Sequence, residues 1–277
     1  MATEEAAGSP PLVSERPRAA EAVQHGGPQP ARVALVTGAT SGIGVTIAQR
    51  LARDGFRVAI SGRSAARGTA VAAELGDRAP FIPADLTLPG AAAALVAQTV
   101  AEFGRLDVLV NNAAVDHIED LLEVDENDIR SIFEINTFAA MNLLIAAARA
   151  MRAQGEGGSV INITSRLASV GVPTMGIYSA SKGAILAFTR AAAVDLARYD
   201  IRVNAVAPGM TRTPLYREWL DGLPDSEDAA ARVADAIPLK RIAEPGDVAA
   251  VVGFLASPEA AYLTGVSISV DGGYLAQ

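Results

Sequence analysis

From Ala31 onward the chain alternates short β-branched runs with longer alanine-rich stretches, and this alternation restricts it to a parallel sheet covered by helices on both faces. Parallel neighbours need a crossover of about a dozen residues or more, and most of the intervening segments supply one. The strand runs are Val33–Thr37, Val58–Ser61, Phe81–Pro83, Val108–Val110, Val160–Ile163, Val203–Val206 and Val266–Val270. Most are continuously apolar, as strands buried on both faces require. Helices are expected over Ile43–Arg53, Ala65–Leu75, Ala91–Phe103, Asn127–Arg152, Tyr178–Arg198 and Gly246–Ala256. No repeat or linker interrupts residues 31–277, so the pattern predicts one doubly wound α/β domain of Rossmann type, with Pro214–Pro238 as an irregular insert.

Residues 1–30 differ in kind. They are rich in Ala, Pro, Glu and Gly, and Leu12, Val13 and Val23 are too few to offset the entropy of ordering, so a disordered leader outside the domain is expected. The segment has neither the apolar stretch of a signal peptide nor the Arg-rich pattern of a transit peptide. Cys is absent from all 277 residues, which removes disulfides, thiolate nucleophiles and Cys-based metal sites and suits the reducing cytoplasm. A formal charge of -8 disfavours nucleic acid and anionic membranes as partners, and no run of about 18 uninterrupted apolar residues marks a membrane span.

The strongest local signal follows the first strand, where Val33-Ala-Leu-Val-Thr37 runs into Gly38-Ala39-Thr40-Ser41-Gly42-Ile43-Gly44 and then a helix. Glycines there let the backbone turn sharply and bring N–H groups and a helix N-terminus against a pyrophosphate. The spacing is TGxxxGxG rather than the general GxGxxG, so the strand and helix around it carry the phosphate reading. A second signal is Tyr178-Ser-Ala-Ser-Lys182, which sets Tyr178 and Lys182 at i and i+4 on one helix face. A free tyrosine has a pKa of about 10, and a neighbouring ammonium lowers it toward the range where the phenol exchanges a proton. The alternative is a surface Tyr beside a solvated Lys.

Ser165 lies just past Val160–Ile163, at the carboxyl end of an expected central strand where such sheets bind ligands. Its hydroxyl can cap a turn or donate to a carbonyl oxygen that gains negative charge. Asn136 sits among apolar helical neighbours, where an amide needs partners, so burial is expected. At the end of the second strand the position that holds a carboxylate in NAD-selective folds is Gly62, and Arg63 follows. A guanidinium suits a 2'-phosphate, with Ser64 and Ser41 as further donors, so NADP(H) is the expected cofactor.

Taken together, these residues resemble the short-chain dehydrogenase/reductase family over essentially all of residues 31–277. The likeness extends to Asp85-Leu86, Asn111-Asn112-Ala113-Ala114, Pro208-Gly209 with Thr213, and the Thr264-Gly265 to Asp271-Gly272-Gly273 ending. In general layout the chain is similar to 3-oxoacyl-carrier-protein reductases and polyketide ketoreductases. The resemblance implies a seven-stranded parallel sheet in the order 3-2-1-4-5-6-7 and a tetrad of Asn136, Ser165, Tyr178 and Lys182. In it Tyr178 moves the proton, Ser165 polarises the carbonyl, Lys182 lowers the Tyr pKa and holds the ribose, and Asn136 is a relay position. Gly38, Thr40, Ser41, Ile43, Gly44, Arg63, Ser64, Asp85, Leu86 and Asn112 become cofactor positions, and Thr211 and Thr213 face the nicotinamide amide. The resemblance further implies a homotetramer or homodimer built through the long helices, with no metal. An epimerase or dehydratase with the same cofactor, and a non-catalytic dinucleotide sensor, are the alternative functions.

Ala114 stands where the family's NNAG motif ends in Gly, which puts the local turn in question. His117 is the only His in 31–277 and offers a pocket contact or a solvated loop side chain. Tyr216, Trp219, Leu220 and Leu223 recur at helix-like spacing in the insert. Joined by Val172, Pro173 and Met175, they suggest an apolar pocket wall; the other reading has the stripe pack the insert onto the domain or another subunit.

Overall fold

A computed structural model describes residues 31–76, 79–223 and 225–277; the expected leader lies outside them. Seven strands form one parallel sheet in the order β3-β2-β1-β4-β5-β6-β7. They are β1 Val33–Thr37, β2 Arg57–Gly62, β3 Phe81–Pro83, β4 Val108–Asn111, β5 Gly158–Ile163, β6 Ile201–Pro208 and β7 Ser267–Val270. The helices are α1 Gly42–Arg53, α2 Ala65–Leu75, α3 Ala91–Phe103, α4 Glu126–Phe133, α5 Ala140–Gln154, α6 Gly176–Leu196, α7 Pro214–Asp221, α8 Ser226–Asp235 and α9 Pro245–Ala256. The expected strand runs are all present, lengthened or trimmed by a residue or two at their ends, where hydrogen bonding outlasts the apolar run.

Alternation along β1 shows how the sheet is sandwiched. Ala34 and Val36 join a core with Ile47 and Leu51 of α1 and Val248, Val252 and Leu255 of α9. Val33 and Leu35 face the other way, into Leu95 of α3, Leu143, Leu144 and Met151 of α5, and Ala192 and Ala193 of α6. Both faces of each central strand are therefore dry, which is why the runs are apolar without a break. Residues 126–154 are helical throughout and match a membrane span in length and mean hydropathy, 1.4 over the most apolar window. Half of that window is buried inside the domain, so its apolar character is explained by core packing.

Two expectations are corrected. The single helix expected over Asn127–Arg152 carries a π-helical turn at Glu134–Ala139 between α4 and α5. The amide of Asn136 accounts for the widening. Its Oδ1 accepts from Val115 N at 2.8 Å, and its Nδ2 donates to Val115 O at 2.9 Å and to Ser181 Oγ at 3.1 Å. One extra residue in the turn turns this side chain inward, as π-turns commonly do at functional sites. Pro214–Pro238, expected to be irregular, contains α7 and α8; Thr213 caps α7 by accepting from Tyr216 N at 3.1 Å, and Pro214 begins the helix.

Candidate active site

The order of the sheet reverses between β1 and β4, and their carboxyl ends open a crevice at the switch point. On one side of it, a groove of about 330 Å³ is lined by Gly38, Thr40, Ser41, Ile43, Arg63, Asp85, Leu86, Asn112 and Thr213, among others. All of these were expected to contact a dinucleotide. Gly38 has φ +64°, and a Cβ on it would lie 2.8 Å from Ala113 Cα. A Cβ on Gly44 would lie 2.3 Å from Gly38 O and 2.6 Å from Asn112 Nδ2. Side chains at either position would push the turn apart, so the backbone N–H groups and the start of α1 stay bare toward the groove. Asn112 pins this turn by donating to Thr37 O at 2.9 Å and Gly38 O at 3.2 Å.

Ser64 is not brought into the groove. Its hydroxyl caps α2 by accepting from Arg67 N at 3.4 Å. Arg67, in the first turn of α2, lines the groove together with Arg63, and a second arginine so close to the end of β2 is the signal that would have found it. Asp85 accepts from Thr87 N and Oγ1 at 3.1 and 2.7 Å, which holds its carboxyl below the usual range with a smaller contribution from Arg63.

Across the crevice, a cleft of about 450 Å³ brings Ser165, Tyr178, Lys182, Thr211 and Thr213 together. Ile43, Asn112, Ala114, Thr213 and Leu215 line both cavities, so the two meet. Ser165 follows β5 and does two things: its Oγ accepts from Leu167 N at 3.2 Å, capping a short turn, and it hydrogen-bonds Tyr178. A hydroxyl has one donor and two acceptor positions, so both fit. Thr211 is buried and donates to Gly209 O at 3.0 Å. Asn136 is buried, as expected, and reaches the centre through Ser181, whose Oγ donates to Tyr178 O at 2.7 Å.

Lys182 is buried. Its Nζ donates to Ile163 O at 3.0 Å and stands 5.7 Å from the Tyr178 ring centroid. Burial lowers its pKa to about 8, against a smaller opposing pull from Asp116. Tyr178 is shifted upward, by burial first and by Asp116 second, with only the Ser165 bond pulling down. The expected lowering by Lys182 is therefore not what dominates in this geometry. Desolvation of the phenol dominates instead.

Sequence reasoning missed Asp116 and Arg166, which also line the cleft. Neither belongs to a motif; only their positions beside Asn112–Ala114 and Ser165 marked them. Burial raises the Asp116 pKa, with His117 N and the charges of Lys182 and His117 opposing it. His117 Nε2 lies 3.3 Å from Glu119 Oε2, and with Asp128 the three offer ligand-type atoms within 4.8 Å of one another. Tyr216, Trp219, Val172, Pro173 and Met175 contribute to the apolar wall, and Tyr216 and Trp219 also pack with Ile237 and Ile242 in a small core. Both readings of the insert's stripe are thus realised in part. Leu220 joins only the packing side.

Residues 38–275 match a protein family described as enoyl-(acyl carrier protein) reductase. An uncharacterized oxidoreductase of Methylorubrum extorquens is 41% identical over 246 residues, covering 87% of this chain and 97% of its own length. The short-chain reductase protein NovJ of Streptomyces niveus is 38% identical over 245 residues, covering 87% and 93%. An actinorhodin polyketide ketoreductase variant, whose crystal structure includes NADPH, superposes with a TM-score of 0.83 at 35% identity over 88% of this chain and 97% of that one.

Proposed function

This chain belongs to the short-chain dehydrogenase/reductase family, and we propose that it is an NADP(H)-dependent oxidoreductase exchanging a hydride with a carbonyl or secondary-alcohol carbon of a small substrate with a largely apolar body. The observation that carries the reading is the convergence of Ser165, Tyr178 and Lys182 in a cleft that opens onto the glycine-turn groove.

The residues of the groove fit a dinucleotide, because Gly38 and Gly44 leave the space that any Cβ would fill, and Arg63 and Arg67 in its lining suit a 2'-phosphate. Gly38–Gly44 and the start of α1 would hold the pyrophosphate, with Thr40, Ser41 and Ile43 in that turn. Arg63 and Arg67 would hold the 2'-phosphate, Asp85, Leu86 and Asn112 the adenosine side, and Thr211 and Thr213 the nicotinamide side. When bound, NADP(H) supplies or accepts the hydride. In reduction the Tyr178 phenol gives its proton to the substrate oxygen while Ser165 donates a hydrogen bond to the same atom. Lys182 then returns a proton to the phenolate; with a pKa near 8 it can lose and regain one near neutrality. Asn136 and Ser181 hold the backbone around Tyr178 and extend the polar path.

The cytoplasm is the proposed location, consistent with the lack of Cys. A homotetramer or homodimer is proposed because Phe138, Ile145 and Val194 leave apolar surface 40–79% exposed along the two long helices expected to mediate assembly. Incubation with a panel of ketones and alcohols, followed at the NADPH absorbance, tests the activity. Net NADPH oxidation matched by alcohol formation is expected. Turnover of an epimer or loss of water without net NADPH consumption would replace this reading.

A further inference from the structure

Arg166 immediately follows Ser165, so any substrate polarised by that serine lies beside it. It is half-buried, it lines the substrate cleft, and its guanidinium stacks 3.7 Å from the Tyr274 ring centroid. Among the described residues its guanidinium makes no hydrogen bond and no ion pair. Arg32 and Arg57 are also half-buried and stack on Phe56 and Phe103, but neither lines the substrate cleft. Arg105 bonds Asp107 and Glu156, and Arg202 bonds the carbonyls of Leu255, Leu263 and Ser257. Asp271 acts on Arg166 only at a distance; its own oxygens accept from Gly273 N at 3.0 Å and Leu275 N at 3.1 Å. A partly desolvated charge with five unused donors is costly unless a partner supplies acceptors.

Within the cleft the described protein supplies no such partner, and stacking on Tyr274 engages only the face of the guanidinium, leaving its in-plane N–H groups free. We propose that Arg166 anchors a carboxylate of the substrate, so that the preferred carbonyl substrates are oxo acids with an apolar body. This rests on the reductase reading and refines its substrate class. A carboxylate is favoured over a phosphate because Asp116 lines the same cleft and the charge of Asp271 also acts on Arg166. Both acids oppose an incoming anion, and they oppose a dianion more strongly than a monoanion. Val172, Pro173, Met175 and Trp219 accept the chain between carbonyl and carboxylate.

The test compares 2-oxo-, 4-oxo- and 5-oxohexanoate with their neutral amides, using the full chain and NADPH. At least one acid is expected to exceed its amide in kcat/KM by about tenfold or more, as a charge-assisted pair provides. Arg166→Gln is expected to collapse that ratio toward one. A role confined to stacking on Tyr274 would change both rates together and leave the ratio alone. A wild-type ratio near one, or a ratio that survives in Arg166→Gln, overturns the inference while reduction of neutral ketones still supports the reductase. Should no carbonyl compound be turned over, the reductase reading fails, and calorimetry with hexanoate on the NADP+-saturated protein decides Arg166 separately. Binding that disappears in Arg166→Gln supports the anchor; absent or unaltered binding overturns it.

Discussion

The two sides of the crevice are built by different means. The groove beside β1 is made by backbone: a turn that tolerates no Cβ at Gly38 or Gly44, the open end of α1, and an asparagine that fastens the turn from β4. The cleft beside β5 is made mostly by side chains from the loops after β4, β5 and β6 together with α1, α6 and α7, and it gathers Asp116, Ser165, Arg166, Tyr178 and Lys182 at close quarters. A backbone site depends on the absence of atoms, and a side-chain site on the identity of atoms. The first suits a ligand shared by many reactions; the second can vary its substrate by single substitutions.

If the division is real, the two sides can be disabled separately. The largest effect is expected from Tyr178→Phe, which removes the proton but not the ring. We expect kcat to fall by about 10³-fold or more in a NADPH-absorbance assay, with dinucleotide affinity in a fluorescence titration essentially retained. Near-full turnover in this variant would refute the proton-transfer role. Next is Gly44→Val, which puts a Cβ at 2.3 Å from Gly38 O and further methyls beyond. Dinucleotide affinity is expected to drop by about 100-fold or more, close to 3 kcal/mol, with the melting temperature measured alongside to separate a spoiled turn from an unfolded chain. Unaltered affinity in a folded Gly44→Val protein would show that the turn does not approach the ligand.

The same contrast governs what could be read from the sequence. The groove was legible because glycines that must lack a side chain sit close together, between a strand and a helix whose periodicities are plain. Tyr178, Lys182 and Ser165 were legible through short spacing and strand position. The π-turn was not, because Phe133–Ala139 has ordinary helical periodicity, and only the contacts of Asn136 with Val115, 21 residues away, widen the turn. Arg166 and Asp116 were missed for a related reason: a charge next to a motif is usually solvated, and its burial depends on the distant residues that form the cleft. Ser64 was assigned to the ligand because its hydroxyl suits phosphate; the same oxygen caps α2 by accepting from Arg67 N, a role that leaves its proton free to donate.

Cofactor choice belongs to the groove but is made by side chains, so it sharpens the division. Replacing Arg63 and Arg67 together by Ala is expected to lower kcat/KM with NADPH by roughly 10- to 100-fold, the loss of charge-assisted bonds to one phosphate, while NADH efficiency changes far less. Wild-type preference for NADH would overturn the NADP(H) assignment without touching the reductase reading. Gly62→Asp is a poorer probe than the sequence suggests. Its Cβ would lie 2.7 Å from Thr40 Cγ2, so the carboxylate arrives with a displaced turn residue.

The smallest effect expected is on stability, and it tests whether the cleft keeps a charge at a cost. Lys182 Nζ is enclosed, with Asp116 as the nearby carboxylate, the Tyr178 phenol beside it and one carbonyl bond to Ile163. Its pKa of about 8, against an ordinary value of 10.5, means that the folded protein holds the ammonium less readily than the unfolded chain does. At pH 7 that corresponds to about 3 kcal/mol of destabilisation. Lys182→Met removes the charge but leaves Ile163 O without its partner, which returns about 1–2 kcal/mol, so a net gain of roughly 1–2 kcal/mol and a few degrees in melting temperature is expected. Between pH 8 and 10.5 the unfolded wild type binds the extra proton and the folded one does not, so wild-type stability rises relative to the variant across that window. The gap between the two melting curves is therefore expected to close as pH is raised from 7 to 10. A wild type that is the more stable protein at pH 7 would mean that Asp116 and Ile163 compensate the buried ammonium in full, and the side-chain half of the crevice would then be as well balanced as the backbone half.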